Sequence, residues 1–330
     1  MPDGLLLVLP VLLLVLAAEF VNGWTDAPNA IATVVSTRVL SPAQALIMAT
    51  ALNVLGTMSG TAVAATIGKG IVKTEAINLP TVAAAMVAII FWSTLAWYYG
   101  LPTSESHALV AGLSGAGLAA AGPSALLWEG WSKVLQGILF STFLGFVGGL
   151  VLMGTLYRLL ARTLPGTVRR RFGRLQLLSA AFMAFSHGSN DGQKFIGTFT
   201  LALLLGGHLP EFQIPLWVIL LCALTMGVGT AVGGWRIVRT MGLRITKLEP
   251  VQGFAAETGA AMTIELASRL GIPLSTTHTI NTAIVGVGAT RRFSAVRWGV
   301  TVEIVAAWIL TFPICGLIAW LMTKAFLALQ

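Results

Sequence analysis

Four apolar runs, Leu5–Phe20, Ala43–Ile67, Val82–Tyr99 and Val134–Leu156, hold between them a single charged residue, Glu19. Each is long enough to enter a hydrocarbon core roughly 30 Å thick as a helix. A backbone in lipid has to satisfy its own N–H and C=O groups, which restricts such runs to helices. The rest of the chain agrees: 56% of its residues are hydrophobic, 10% are charged, and the mean hydropathy is +0.86. A soluble domain has far more charge than this. The predicted fold class is therefore an all-α polytopic membrane protein. Met1-Pro2-Asp3 supplies no basic n-region, so the first run reads as a mature helix, not a cleaved signal. Cys222 and Cys315 both lie in apolar spans and read as packing residues.

The net charge of +8 would suit a nucleic-acid partner, but its distribution argues against one. The basic residues fall in short loops between apolar runs, which is a topology signal. Ten apolar segments are expected, at about 4–36, 43–67, 81–99, 104–121 and 134–157, then 175–205, 216–235, 251–271, 274–290 and 298–322. With the central loop of six arginines (158–174) in the cytoplasm, fourteen Lys and Arg face inward and five outward. Lys194 alone is left within the membrane. This arrangement predicts an integral multi-pass protein of the cell (plasma or inner) membrane with both termini outside. An odd number of spans per half also inserts the second half upside down relative to the first.

Three matches support a true internal repeat. Gly60-Thr61-Ala62-Val63 recurs as Gly229-Thr230-Ala231-Val232, and Pro102-Thr103-Ser104-Glu105-Ser106-His107 as Pro273-Leu274-Ser275-Thr276-Thr277-His278. Asp26 in Asn22–Thr33 corresponds to Asp191 in His187–Thr198. The offsets are 169, 171 and 165 residues. The chain thus reads as two inverted repeats of about five to six membrane helices each, 1–160 and 175–330, joined by a basic cytoplasmic linker, 161–174. Inverted repeats place a transporter's site near the bilayer midplane, on broken helices.

Both aspartates sit in Gly-containing stretches that read as helix breaks, with Pro28 opening the second half of the first. A carboxylate at membrane depth is costly and points to function. Asp26 and Asn29, three apart, share a helix face and can bind one ligand. Ser104, Ser106 and His107 in one half, and Ser275, Thr277 and His278 in the other, follow proline breaks. They place hydroxyls where the free N–H groups of a helix start can bind an anion. Ordinary helix capping accounts for one copy of this motif, but less well for two copies repeated beside the aspartate motifs. The histidines read equally as ligands or as packing residues.

An oxyanion gathered beside Asp26 and Asp191 in a low dielectric requires cations to accompany it. Lys194 supplies one fixed positive charge where the first half has Asn29. Glu105 and Glu257 lie closest to the motifs and are candidate proton relays. Glu19, Glu265 and Glu303 read as helix–helix hydrogen-bonding residues.

The blocks Phe20–Ala30, Ser186–Lys194 and Pro273–His278 resemble the inorganic phosphate transporter (PiT) family. The resemblance implies a phosphate symporter with about twelve membrane helices, some of them short hairpins, and a homodimer. It also implies that phosphate and cation ligands map onto Asp26, Asn29, Asp191, Ser104, Ser106, Ser275, Thr276 and Thr277. Its partners would be inorganic phosphate, a co-transported H+ or Na+ and the bilayer, with no cofactor and no nucleic acid. Three departures bear on coupling. Thr25 stands where many members have Asn, Glu105 where Thr is usual, and Lys194 where sodium-coupled members have a second Asn. A lysine there disfavours sodium, so protons are the expected coupling ion; Asp26, Asn29 and Asp191 would ligate sodium only in a sodium-coupled protein.

Rival readings are a sulfate or other oxyanion permease, a metal-phosphate/proton symporter, an intramembrane hydrolase and an anion channel. Sulfate has no proton to donate to Asp26 or Asp191. Ser and His three apart on one helix, with no orienting carboxylate, lack the logic of a triad, so no enzyme is expected. Paired aspartates suit a carrier better than an anion pore.

Overall fold

The computed structural model describes residues 2–329, with side chains from Val8 onward. The described residues contain thirteen α-helices and no named β-strand. The first half runs α1 (Pro2–Ser36), α2 (Pro42–Thr57), α3 (Ala62–Gly70), α4 (Leu79–Tyr99), α5 (Glu105–Ala121), α6 (Trp128–Leu139) and α7 (Gly145–Leu160). The second runs α8 (Pro165–Leu205), α9 (Leu216–Val232), α10 (Trp235–Arg239), α11 (Pro250–Arg269), α12 (Thr276–Arg291) and α13 (Trp298–Ala328). A π-turn, Phe140–Leu144, joins α6 and α7 into one span of 33 residues, the counterpart of the 31-residue α13. The segment expected as a linker, 161–174, is helical from Pro165 onward and forms the start of α8.

The same details recur at matching places in both halves. Gly100 and Gly271 take left-handed conformations after α4 and just beyond α11, with φ of +69° and +65°. That geometry costs glycine little. Ser104 and Ser275 then cap α5 and α12. The Leu127 N–H donates to Ile71 O, and the Arg297 N–H to Ile245 O.

Four spans, α1, α4, α6–α7 and α13, are long and apolar enough alone to cross a membrane, and two bent pairs raise the number to six. This differs from the ten apolar segments expected. The helix α8 contains the polar block around Asp191, which lowers its hydropathy. Helices α5 and α12, with 17 and 16 residues, are short. They meet near their N-termini, where Ser106 Oγ donates to Leu274 O at 2.8 Å.

The expected breaks at the two aspartates are absent. Asp26 lies inside α1 and Asp191 inside α8, both continuous, and Pro28 is an interior residue of α1. The glycines of these motifs serve close packing. A Cβ on Gly23 would lie 2.3 Å from Met226 O, and one on Gly188 would lie 2.2 Å from Asn53 O. The first helix of each half therefore packs on the second helix of the other half, α1 on α9 and α8 on α2. The actual breaks fall in those second helices. Helices α2 and α3 meet at 67°, and α9 meets the α10 segment at 59°. Motif residues two past each aspartate fit these bends: Gln193 Oε1 accepts from the Val63 N–H at 3.0 Å, and Pro28 packs against Gly234.

Gly188→Ala should therefore destabilise the protein by about 1–3 kcal/mol, because the methyl group meets backbone that has to move. Gly166, which has nothing within 4 Å of an added Cβ, should tolerate alanine. Thermal unfolding of the two variants in detergent checks both expectations.

Candidate functional site

Asp26 and Asn29 project from α1, and His187, Asp191 and Lys194 from α8. Each set recurs at helical spacing, so its members share a face. The starts of α5 and α12 close the space between these faces. All of these side chains are buried; Asp26, the most accessible of the acids and amides here, is 4% exposed.

Thr276 and Thr277, in the first turn of α12, join the two aspartates. Thr276 Oγ1 donates to Asp191 Oδ2 at 2.6 Å, and Thr277 Oγ1 donates to Asp26 Oδ2 at 3.2 Å. Asn29 Nδ2 donates to Thr277 Oγ1 at 2.9 Å and to Thr276 Oγ1 at 3.3 Å. On the other side Lys194 Nζ donates to Asp191 Oδ1, to Ser106 Oγ and, at 3.0 Å, to Leu274 O. His187 Nε2 lies 3.1 Å from Asp191 Oδ2, and its Nδ1 is 3.1 Å from Asn53 Oδ1.

Seven of the residues expected from sequence thus form one network: Asp26, Asn29, Ser106, Asp191, Lys194, Thr276 and Thr277. Ser104 and Ser275, the N-caps of α5 and α12, lie outside it, each accepting from the backbone N–H of the histidine three residues on, at 3.3 and 3.1 Å. The His107 and His278 rings meet edge to face, their centroids 4.5 Å apart, and His278 stacks on Trp308 at 3.7 Å. That is the environment of packing residues.

Glu105 and Glu257 lie outside the network, one on each side of it along α1. Glu105 accepts from Thr25 Oγ1 at 3.0 Å and Ser93 Oγ at 2.6 Å. Glu257 accepts from Thr33 Oγ1 at 2.5 Å, Gln176 Nε2 at 3.0 Å and Ser179 Oγ. Neither has a cationic partner among the described residues. Of the other three acids, Glu19 accepts from Asn22 of its own helix, and Glu265 binds Arg269 of its own helix and Ser189 of α8. Glu303 is exposed beside Arg244, not buried between helices.

Sequence reasoning gave no role to His187, Asn53, Ser93, Gln176 or Ser179. His187 lay within the repeated block, four residues before Asp191, and that spacing was a usable signal. Thr33, seven residues after Asp26, was visible as part of the repeat, without a partner. The others sit on different helices, and only packing brings them close.

The charges of the two aspartates are treated unequally. Asp191 is held between an ammonium, a threonine hydroxyl and an imidazole. Asp26 has a threonine hydroxyl and no cation among the described residues, although ligand atoms of Asp26, His187 and Asp191 all lie within 4.8 Å of one another. Two carboxylates and one ammonium in a buried, hydroxyl-lined space can accept a further cation together with an anion, and cannot hold an anion alone at reasonable cost.

A model of the phosphate transporter family matches residues 22–319. The chain belongs to that family. It is an integral membrane transporter and not an enzyme. It is 46% identical over 303 residues to the "Probable low-affinity inorganic phosphate transporter" of Rhizobium meliloti (strain 1021), covering 91% of each chain. It is 39% identical over 315 residues to the protein of the same description from Bacillus subtilis (strain 168), covering 94% of this transporter and 95% of that one. Among solved structures it resembles "The sodium-dependent phosphate transporter", with a TM-score of 0.88 and 25% identity over 98% of this chain and 100% of that one.

Proposed function

We propose that this transporter imports inorganic phosphate by symport with protons, at the network between α1, α8 and the first turns of α5 and α12. The observation that carries the coupling is the position of Lys194. Its ammonium already occupies the side of Asp191 that a metal cation would need, and leaves Asp26 as the unpaired carboxylate. A proton on Asp26 neutralises that charge as phosphate enters. Ser106, Thr276 and Thr277 supply hydroxyls to the oxyanion, backed by the caps Ser104 and Ser275. Glu105 and Glu257 are the candidate stations for protons on either side.

The same reading places the two halves, 1–160 and 175–330, as inverted repeats that rock around this site. Both termini lie outside, the arginines of 158–174 lie in the cytoplasm, and the working unit is a homodimer. Sodium coupling is the competing reading, because the structural relative carries that ion in its name; Asp26, Asn29 and Asp191 would then be its ligands.

Radiolabelled phosphate uptake into proteoliposomes under an imposed proton or sodium gradient decides between these readings. Uptake driven by protons alone supports the proposal. Uptake driven only by sodium transfers the role to the metal ion. No phosphate uptake under either gradient, with labelled sulfate taken up instead, overturns the substrate. Lys194→Asn is expected to weaken proton dependence, and unchanged cation dependence would sink the argument from the lysine. Thr277→Val, which removes the hydroxyl shared by Asp26 and Asn29, should raise the phosphate KM about tenfold, the size of one hydrogen bond to a charged group, while the protein stays folded. Initial rates against phosphate concentration test that.

A further inference from the structure

Beyond the central site, the C-terminal end of α1 opens onto a cavity of about 810 Å³. Arg38, Arg169, Lys247 and Arg297 line it, with Glu249 as the single carboxylate. None of the four cations forms an ion pair among the described residues. They come from four separate segments: the end of α1, the start of α8, the loop before α11 and the loop before α13. Two of those walls are held together by backbone and side-chain bonds, Arg297 N–H to Ile245 O at 2.9 Å and Thr246 Oγ1 to Ala295 O at 3.1 Å. Arg38 is the one described non-glycine residue with a positive φ, +60°, at a helix end where glycine would be easier to accommodate. Four like charges around one hollow repel each other and raise the local concentration of anions.

The cavity is also joined by hydrogen bonds to Glu257, on the near side of the central site. Ser36 and Thr37 line it, Thr37 Oγ1 donates to Gln176 Oε1 at 2.9 Å, and Gln176 and Thr33 both donate to Glu257. Arg38 lies nine residues beyond Asn29, roughly 14 Å along the helix at the rise of an α-helix. Polar side chains thus follow α1 from the cavity as far as Thr33, one turn from Asn29.

We propose that this cavity is a second anion site, which takes a phosphoryl group: inorganic phosphate passing between the central site and the aqueous phase, or the phosphate of a lipid headgroup. Only the naming of inorganic phosphate rests on the function proposed above; the site itself stands on the four cations. The test is the rate of Lys247 acetylation in the purified full-length protein, read by peptide mass spectrometry, with exposed Lys73 as the control. In detergent, inorganic phosphate at ten times its Kd is expected to slow Lys247 about tenfold, the fraction left free at that occupancy, while chloride at equal ionic strength does not. Arg38→Gln combined with Arg297→Gln should remove the protection. Asp26→Asn should keep it, so failure of the central site and failure of this one are distinguishable. Protection in vesicles containing phosphatidylglycerol but not in phosphatidylcholine vesicles, with no added effect of phosphate, assigns the ligand to lipid. Equal Lys247 rates in phosphate, in chloride and in both kinds of vesicle overturn the proposal.

Discussion

Lys194→Met is expected to cost about 3–5 kcal/mol of stability, because it leaves the Asp191 carboxylate buried without its ammonium partner. Against a typical stability of about 5–15 kcal/mol this is a large fraction, and much of the protein should fail to fold at growth temperature. The decisive comparison is the double variant Lys194→Met with Asp191→Asn. Removing both charges takes away the pair and its penalty together, so thermal unfolding in detergent should return most of the way to that of the parent. Transport should stay absent, since the site then lacks both the fixed cation and one acid. A single variant as stable as the parent would mean that Asp191 is adequately held by Thr276 and His187. The ion pair would then not be what secures this part of α8.

Asp26→Asn should behave in the opposite way. Asp26 has a hydroxyl partner, Thr277, and no cation, so asparagine keeps the acceptor and relieves a charge. Stability should be unchanged or slightly higher, because an unpaired buried carboxylate is itself destabilising. Gradient-driven phosphate uptake should fall by about two orders of magnitude or more, the cost of losing a buried charged partner worth about 3 kcal/mol. Phosphate exchange without a gradient should be less affected than uptake, because exchange requires no net movement of the coupling ion. Retention of full gradient-driven uptake would remove Asp26 from the coupling step and direct attention to Glu105 or Glu257.

These two variants separate the halves of the site because the repeated blocks carry different residues three past each aspartate. Asn29 and Lys194 occupy equivalent places on α1 and α8, yet one donates to threonine hydroxyls and the other to a carboxylate. The inequality was legible in the sequence once the two blocks were aligned. What it does to the two aspartates was not, since it depends on Thr276 and Thr277 reaching both acids from a single helix turn.

The misread breaks are equally instructive. Gly23, Pro28, Gly188 and Gly192 look like helix breakers when only local propensity is considered. In the folded protein Gly23 and Gly188 are the points at which a neighbouring helix backbone approaches too closely for a side chain, and that packing overrides propensity. The bends appeared instead in α2–α3 and α9–α10, next to the repeated Gly-Thr-Ala-Val stretches, where Gln193 and Pro28 of the aspartate motifs meet them. Glu257, a candidate proton relay by its place beside the motifs, gained its partners only from packing. The structure gives it three donors from α1 and α8 and sets it about two helical turns of α1 from Asp26.

The sequence by itself determined that this chain lives in a membrane, that two of its blocks recur at nearly one offset, and which acids, hydroxyls and lysine are the candidates for its site. Hydropathy, charge and repetition are properties of residue order, and lipid tolerates few other arrangements of them. Only the tertiary structure decided which of those groups meet. The exchange of packing partners between halves, α1 on α9 and α8 on α2, brings Asp26 and Asp191 under the same two threonines from positions 165 residues apart. Contacts at that separation are set by how helix surfaces fit together, and helical periodicity along one segment carries no record of them.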